Sequence, residues 1–442
     1  MNSLQMYEYL YGLQSTRNIG WEVILPVLGM MLLIALGVPV WVVLGLGSVG
    51  ILWFTEALPM GLIGEALFDG IDAFALIAIP LFILTGDVLV RTKLSGKLLD
   101  LADATTGGIK SGLGSATVLG CGFFSCISGS DAAGAAAVGR MTIPRLVEAG
   151  YPKSYACALV AAGACTGILI PPSIAYIIIG LILGISASTL FLAAAIPGLL
   201  VMFSILTTNL LMNKLNRFEK DNRRFNFSLW RGTLWEGRFA LMVPVIILGG
   251  IYSGIFTPTE AAAVAVLVAM LIGFYQRTIS WRDIPKILLS SAKINGVILP
   301  IIAMSLPLSQ VLAILEIPQT FVGFVTSLSE DRILIILAMI FILIAAGCVM
   351  ETTPNIVILA PILLPLAQAI GMDDIHFCIM MVTALGVGFI TPPLGLNLFV
   401  VSSISGTPVL SVAGRAVPYV ISMFLVVLLL AFIPELSTWA LG

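Results

Sequence analysis

Two hydrophobic stretches of this chain each carry a proline pair, and nothing else in it narrows the fold as far. GILIPPS occupies residues 167–173 and GFITPPL residues 388–394, with one spacing from Gly167 to Pro171 and from Gly388 to Pro392. The copies stand 221 residues apart, half of the 442-residue chain. Proline lacks an amide donor, and its ring clashes with the preceding turn. Each pair must therefore interrupt its helix and release main-chain carbonyls from helical pairing.

The surroundings are membrane-like. The chain is 59% hydrophobic and 10% charged, with a mean hydropathy of +1.11, far from the balance of a soluble domain. Apolar runs long enough to cross a hydrocarbon core of about 30 Å recur from Trp21 to Ala440. Spans are expected near 21–37, 39–54, 73–90, 154–184, 187–212, 238–253, 258–275, 288–312, 375–404 and 408–435. The two that hold proline pairs read as half-helices around an unwound centre. Residues 105–146 and 332–370 read as re-entrant hairpins, apolar at the ends with CISGSDAAG and GCVMETTPN at their tips. Irregular backbone at membrane depth survives only where protein or a water-filled cavity surrounds it. The expected class is an all-α integral membrane protein of about 10 transmembrane helices plus two re-entrant hairpins. The first 20 residues are polar and aromatic, with one base, Arg17, and do not resemble a cleavable secretion signal.

Other chemistries find little support. The six cysteines lie in apolar stretches and read as packed small hydrophobes. A single histidine, His376, excludes a multi-histidine metal site, and its place in IGMDDIHF suggests a structural or solvated role. TTGGIKS at 105–111 lacks the glycine–lysine pairing of a phosphate cradle. A net charge of −2 says nothing for nucleic acid. No cofactor is expected, and no Ser-Lys, Asp-Asp or zinc pair suggests an intramembrane enzyme.

Basic residues orient the chain. With the bases of the first hairpin on the cytoplasmic side, 19 of the 21 Lys and Arg fall there, leaving only Arg17 and Arg332 outside. The bias of bases toward the cytoplasm favours this arrangement and places both termini in the periplasm. The halves then start on opposite faces, as inverted repeats do. Pro39 pairs with Pro258, Pro80 with Pro300 and Ser130 with Glu351, all at nearly the same offset. Broken helices at corresponding positions of two halves are the best sequence pointer to the binding site of a secondary transporter. A channel is disfavoured by the same pairing.

The tips are the candidate sites. Ser130 or Asp131 can cap the second arm of the first hairpin. A half-helix N-terminus at that depth also suits an anion. The anionic substrate is expected near the midplane between the two tips, at Ser128, Gly129, Ser130, Thr352 and Thr353. Tip carbonyls and the unwound 167–172 segment, with hydroxyls such as Ser128, suit Na+, a hard cation that prefers oxygen. In the second tip, Glu351, Thr352 and Thr353 face Gly388, Thr391 and Pro393. A carboxylate at the bilayer centre costs about 2.5–3.5 kcal/mol, so Glu351 is either solvated in an aqueous cavity or a ligand of an ion or proton. In FTPTEAAA, Thr257 and Glu260 form a capping box with Pro258 in the first turn.

AIPLFILTGDVL at 78–89, together with SGSDAAGAAAVG, GILIPPS, TPTEAAAVAV and GFITPPLGLNLF, resembles the large membrane subunit of tripartite ATP-independent periplasmic (TRAP) transporters. The likeness runs from about residue 21 to the C-terminus. It implies a Na+-driven elevator importing a carboxylate-bearing solute across the bacterial inner membrane. It also implies a soluble periplasmic substrate-binding protein and a small four-helix membrane subunit, expected as a separate chain. By this resemblance, scaffold segments cover 21–100 and 238–330, transport segments 101–212 and 331–442, and a cytoplasmic linker 213–237. One Na+ site would use Ser128, Asp131, Gly167, Ile170 and Pro172. The other would use Gly347, Glu351, Thr352, Gly388, Thr391 and Pro393. A stand-alone dicarboxylate or gluconate permease of the same superfamily is the nearest alternative.

Overall fold

The computed structural model describes residues 20–56, 59, 61–109, 111–219, 225–392 and 395–439. All regular structure in these residues is helical, with no strand among them. Eight helices are long and apolar enough to cross a membrane, or nine if one bent pair counts as a single span. Helices Trp21–Ala35 and Val40–Thr55 fall short, at 15 and 16 residues. Sixteen residues rise only about 24 Å, less than the hydrocarbon core. Gly37, at φ +78°, turns the chain between them.

The chain divides into two compact units. The smaller one contains the chain up to Ile71 together with Leu299–Leu328. There Trp21 meets Phe54 edge-on at 5.8 Å, and Met304 packs where Gly45 leaves room. The larger unit contains Asp72–Ile298 and Ser329–Gly442. Its surface carries large apolar side chains such as Phe203, Trp235, Leu267, Phe341 and Leu425, the exterior expected when lipid is the solvent.

The core of the larger unit consists of the two interrupted helices. Lys153–Leu169 and Ile174–Leu183 form the first, bent by 41° at the break. Asp374–Gly388 and Leu396–Ser405 form the second. Tyr155 to Ile179 are buried without exception, as are His376 to Ile390. Hydroxyls at this depth answer the main chain: Thr117, Ser125, Thr142 and Thr383 each donate to the carbonyl four residues earlier, which satisfies them without a partner helix. His376 Nε2 donates to the Leu430 carbonyl at 2.8 Å, a structural contact.

Two hairpins clasp this core. The first has arms Gly112–Ser128 and Asp131–Glu148, the second Arg332–Val349 and Thr352–Ala369. Their second arms start at Asp131 and Thr352, repeating the 221-residue offset, and the first broken helix starts at Lys153 where the second starts at Asp374. Packing crosses between the halves: Ile174–Leu183 lies on the second hairpin's Thr352–Ala369, and Leu396–Ser405 on the first hairpin's Asp131–Glu148. Helix Leu94–Thr106, unassigned in the sequence, lies on the first hairpin and on Phe227–Tyr252, to which Lys97 pairs through Glu236.

Candidate functional site between the hairpin tips

The first tip is shaped by one glycine. Gly129 has φ +60°, which L side chains rarely adopt. A Cβ there would also lie 3.0 Å from the Pro172 carbonyl oxygen. Ile174 N donates to the Gly129 carbonyl at 3.3 Å, so the unwound segment is bonded to the tip. Ser130 caps the second arm, its hydroxyl accepting from Ala133 N at 3.4 Å. Behind the break, a Cβ on Gly167 would lie 2.7 Å from Asp131 N. Tip and break thus meet backbone to backbone, with Ser128, Asp131, Gly167 and Pro172 brought together. The Ile170 amide is spent on Thr166 O.

The second tip repeats the contact with other atoms. Gly388 and Gly347 oppose each other: a Cβ on Gly388 would lie 2.7 Å from Gly347 Cα and 2.6 Å from Ile344 O. Gly395 N donates to Cys348 O at 3.0 Å, tying the far side of this break to the hairpin. Thr391 turns its hydroxyl back to Val387 O at 2.7 Å and lines an apolar hollow of about 410 Å³ with Leu337, Phe341 and Val420. Pro393 lies outside the described residues. Among the residues expected at this tip, Glu351, Thr352 and Thr353 point elsewhere.

They face the first tip. A chamber of about 30 Å³ is lined by Gly129, Ser130 and Asp131 from one tip and Glu351, Thr352 and Thr353 from the other, with Ile168, Ile174, Ala175 and Ile298 closing it. Ser130 and Glu351 are counterparts at the 221-residue offset, and so are Asp131 and Thr352. Nearby, Cys165 Sγ donates to Gly386 O at 3.2 Å across the same 221 residues. Asp131 is 2% exposed and Thr352 6%, and neither Asp131 Oδ2 nor Thr352 Oγ1 has a hydrogen-bond partner. Lysine and arginine are missing from the chamber's described lining.

Two asparagines support the chamber and were not singled out from the sequence. Asn355 Nδ2 donates to Met350 O at 2.9 Å and Ala346 O at 3.3 Å, holding the second tip to its first arm. Asn397 Nδ2 reaches Ala161 O and Cys165 Sγ, both at 3.5 Å, and the side chain stands beside Asp131. The available signal was a lone amide in an apolar run, costly at this depth unless hydrogen-bonded.

The chamber adjoins a larger cavity of about 910 Å³ through Ser130, Ile174, Ile298 and Glu351. One face of the first hairpin, Ala132, Ala133, Ala136 and Ala137, lines this cavity with methyl groups and ends at Arg140. Lys93, Asp87, Ser95, Ser128 and Ser290 add to its polar lining, with Asp87 accepting from Ser291 at 2.7 Å. The chamber offers oxygens to a small cation, and the cavity offers two bases to an acid.

Far from both, Thr257 and Glu260 form a reciprocal cap. The Thr257 hydroxyl accepts from Glu260 N at 3.3 Å, and the Glu260 carboxylate accepts from Thr257 N at 2.8 Å.

Residues 27–436 match the family described as "Tripartite ATP-independent periplasmic transporter, DctM component". The chain is 36% identical to the isethionate TRAP transporter permease protein DctMQ of Oleidesulfovibrio alaskensis, covering 93% of this chain and 65% of that protein. It is 36% identical to the C4-dicarboxylate TRAP transporter large permease protein DctM of Pseudomonas aeruginosa, over 84% of this chain and 87% of that one. The sialic acid TRAP transporter large permease protein SiaM of Vibrio cholerae is 30% identical over 93% of this chain and 96% of its own. Among solved structures, the Alcanivorax borkumensis YdaH transporter shares the fold, with a TM-score of 0.59 at 14% identity over 83% of this chain and 86% of that one. The chain belongs to the DctM family of TRAP transporter large permeases, multi-pass proteins of the inner membrane.

Proposed function

We propose that this chain is the permease of a Na+-coupled importer for a small organic acid. A periplasmic binding protein delivers the solute, and a small membrane subunit completes the permease. The observation that carries this reading is the meeting of both hairpin tips at one buried chamber that opens on a cavity with basic residues. Coupling ions sit where each tip meets its own break: Ser128, Gly167, Ile170 and Pro172 in one half, Gly347, Gly388 and Thr391 in the other. Oxygen donors in such positions can replace the hydration shell of Na+. The acid occupies the larger cavity, with Arg140 and Lys93 at one end and the hydroxyls of Ser128 and Ser130 at the other. Relatives named for isethionate, C4-dicarboxylates and sialic acid all concern solutes that carry a sulfonate or carboxylate. The repeats have inverted topology, and the hairpins and broken helices move together as an elevator, because they share one backbone-bonded core.

Uptake tests this reading. The chain is reconstituted in vesicles with its small subunit, and radiolabelled acid is offered with or without a binding protein, under a Na+ or a K+ gradient. Accumulation is expected only with the binding protein and Na+. Equal accumulation without the binding protein would make this a stand-alone permease, and equal accumulation under K+ would remove Na+ coupling.

A further inference from the structure

The cavity of about 910 Å³ separates its polar groups from its apolar ones by position. Helices Ala78–Arg91, Asp131–Glu148 and Ile284–Ile314 each present one face to it. Along its middle those faces carry only methyl and branched aliphatic groups, among them Ile83, Val90, Ala136, Ile294 and Ile298. The bases stand at the end away from the first tip. A Cβ on Gly86 would lie 3.4 Å from Ser128 Cβ, and Lys93 follows seven residues after Gly86; on the hairpin arm, Arg140 follows ten residues after Ser130. Both bases are exposed, so this end is the open mouth. Serines flank the apolar stretch: Ser128 and Ser130 at the tip, Ser95 beside Lys93, and Ser290 first on its helix face. The other charged groups in the described lining, Asp87 and Glu351, are acids.

These positions suit one kind of acid. A carboxylate or sulfonate at the mouth keeps part of its water while the arginine fork and the lysine ammonium hold it. At 1.5 Å per residue, Arg140 stands about 15 Å along the arm from Ser130, and a side chain leaning back one turn comes to about 10 Å. A four-carbon diacid is too short to reach from the bases to the tip hydroxyls. Its second carboxylate would also meet Asp87 and Glu351 with no base beside it, and an unpaired charge of this kind rejects a wrong ligand. A sugar acid would set its hydroxyls against alanine and isoleucine, buried without hydrogen-bond partners. An aliphatic or aromatic body instead leaves water for methyl groups. We infer that the cavity selects monoanionic acids with an apolar body, such as arylacetates and medium-chain acids, over diacids and sugar acids. This rests on the reading of the cavity as the acid's site and narrows the class of solute.

The test is equilibrium binding of radiolabelled phenylacetate, hexanoate, succinate and gluconate to the purified chain in Na+-containing nanodiscs. No binding protein is present, so the selectivity read is the permease's own, and empty nanodiscs give the blank. Phenylacetate and hexanoate are expected to bind more tightly than succinate and gluconate by about tenfold or more. Arg140→Gln should weaken every acid, and Ala136→Leu, which takes the space of the body, should weaken phenylacetate about tenfold. Succinate or gluconate bound as tightly as phenylacetate by the wild type would overturn this selectivity while the acid site stood, and so would phenylacetate binding unmoved by Ala136→Leu. A wild-type chain that binds none of the four acids, or binds them no better than Arg140→Gln does, would overturn both readings.

Discussion

Replacing Gly388 with alanine isolates the backbone contact on which the second tip depends. The added Cβ would lie 2.6 Å from Ile344 O and 2.7 Å from Gly347 Cα, where ordinary contact begins at 3.4 Å. The arms must part by at least about 0.8 Å (3.4 − 2.6). Overpacking costs about 1–3 kcal/mol, and backbone atoms have no rotamer to escape into, so about 3 kcal/mol is expected. That corresponds to somewhat more than a hundredfold in an equilibrium constant. Gly386 provides the control two residues away on the same helix. Its Cβ would meet Ile168 Cδ1 at 3.5 Å and Leu169 Cδ1 at 3.8 Å, both ordinary contacts, and alanine inside a helix gains about 0.5–1 kcal/mol over glycine. The neighbours should therefore differ by about 3–4 kcal/mol. Thermal unfolding in detergent reads the stability, and Na+-driven uptake per inserted molecule reads the tip. Gly388→Ala should melt well below wild type and transport poorly, whereas Gly386→Ala should melt at or above it. Equal melting and uptake in the two variants would mean that the hairpin and broken helix are not in backbone contact.

Two further expectations concern elements away from the chamber. Thr257→Ala removes the reciprocal cap of helix Pro258–Tyr275 and should cost about 1 kcal/mol, read as a lower melting temperature with Na+ affinity unchanged. Glu219 accepts from Leu113 N at 3.2 Å and Tyr151 Oη at 2.8 Å, fixing the central loop to the start of the first hairpin. Glu219→Leu should cost about 1–3 kcal/mol by orphaning these donors, and proteolysis of the loop should accelerate. Wild-type proteolysis would show that the clasp does not hold the loop.

The breaks were legible because proline acts locally: Pro171 and Pro392 interrupt their helices whatever packs around them. The hairpin tips were legible for a related reason, since glycine and hydroxyl residues stand out in an apolar run. Partners were not. Sequence reading brought the two tips together and set each beside its own break, but it did not pair individual side chains. In the fold, Asp131 and Thr352 line one chamber, and Thr391 turns toward an apolar hollow. Hydrophobic periodicity indicates which face of a helix is buried, not which helix buries it. Helices Gly61–Ile71, Leu94–Thr106 and Ile317–Leu328 were missed, because at 11 to 13 residues they fall well short of a membrane span.

A density map of the purified chain in Na+-containing nanodiscs would decide whether the halves converge. It should show helix lost at 170–173 and 389–392, with Ser130 and Thr352 on opposite walls of one space. Unbroken rods through either segment, or tips separated by an intervening helix, would contradict the shared chamber and the coupling built on it.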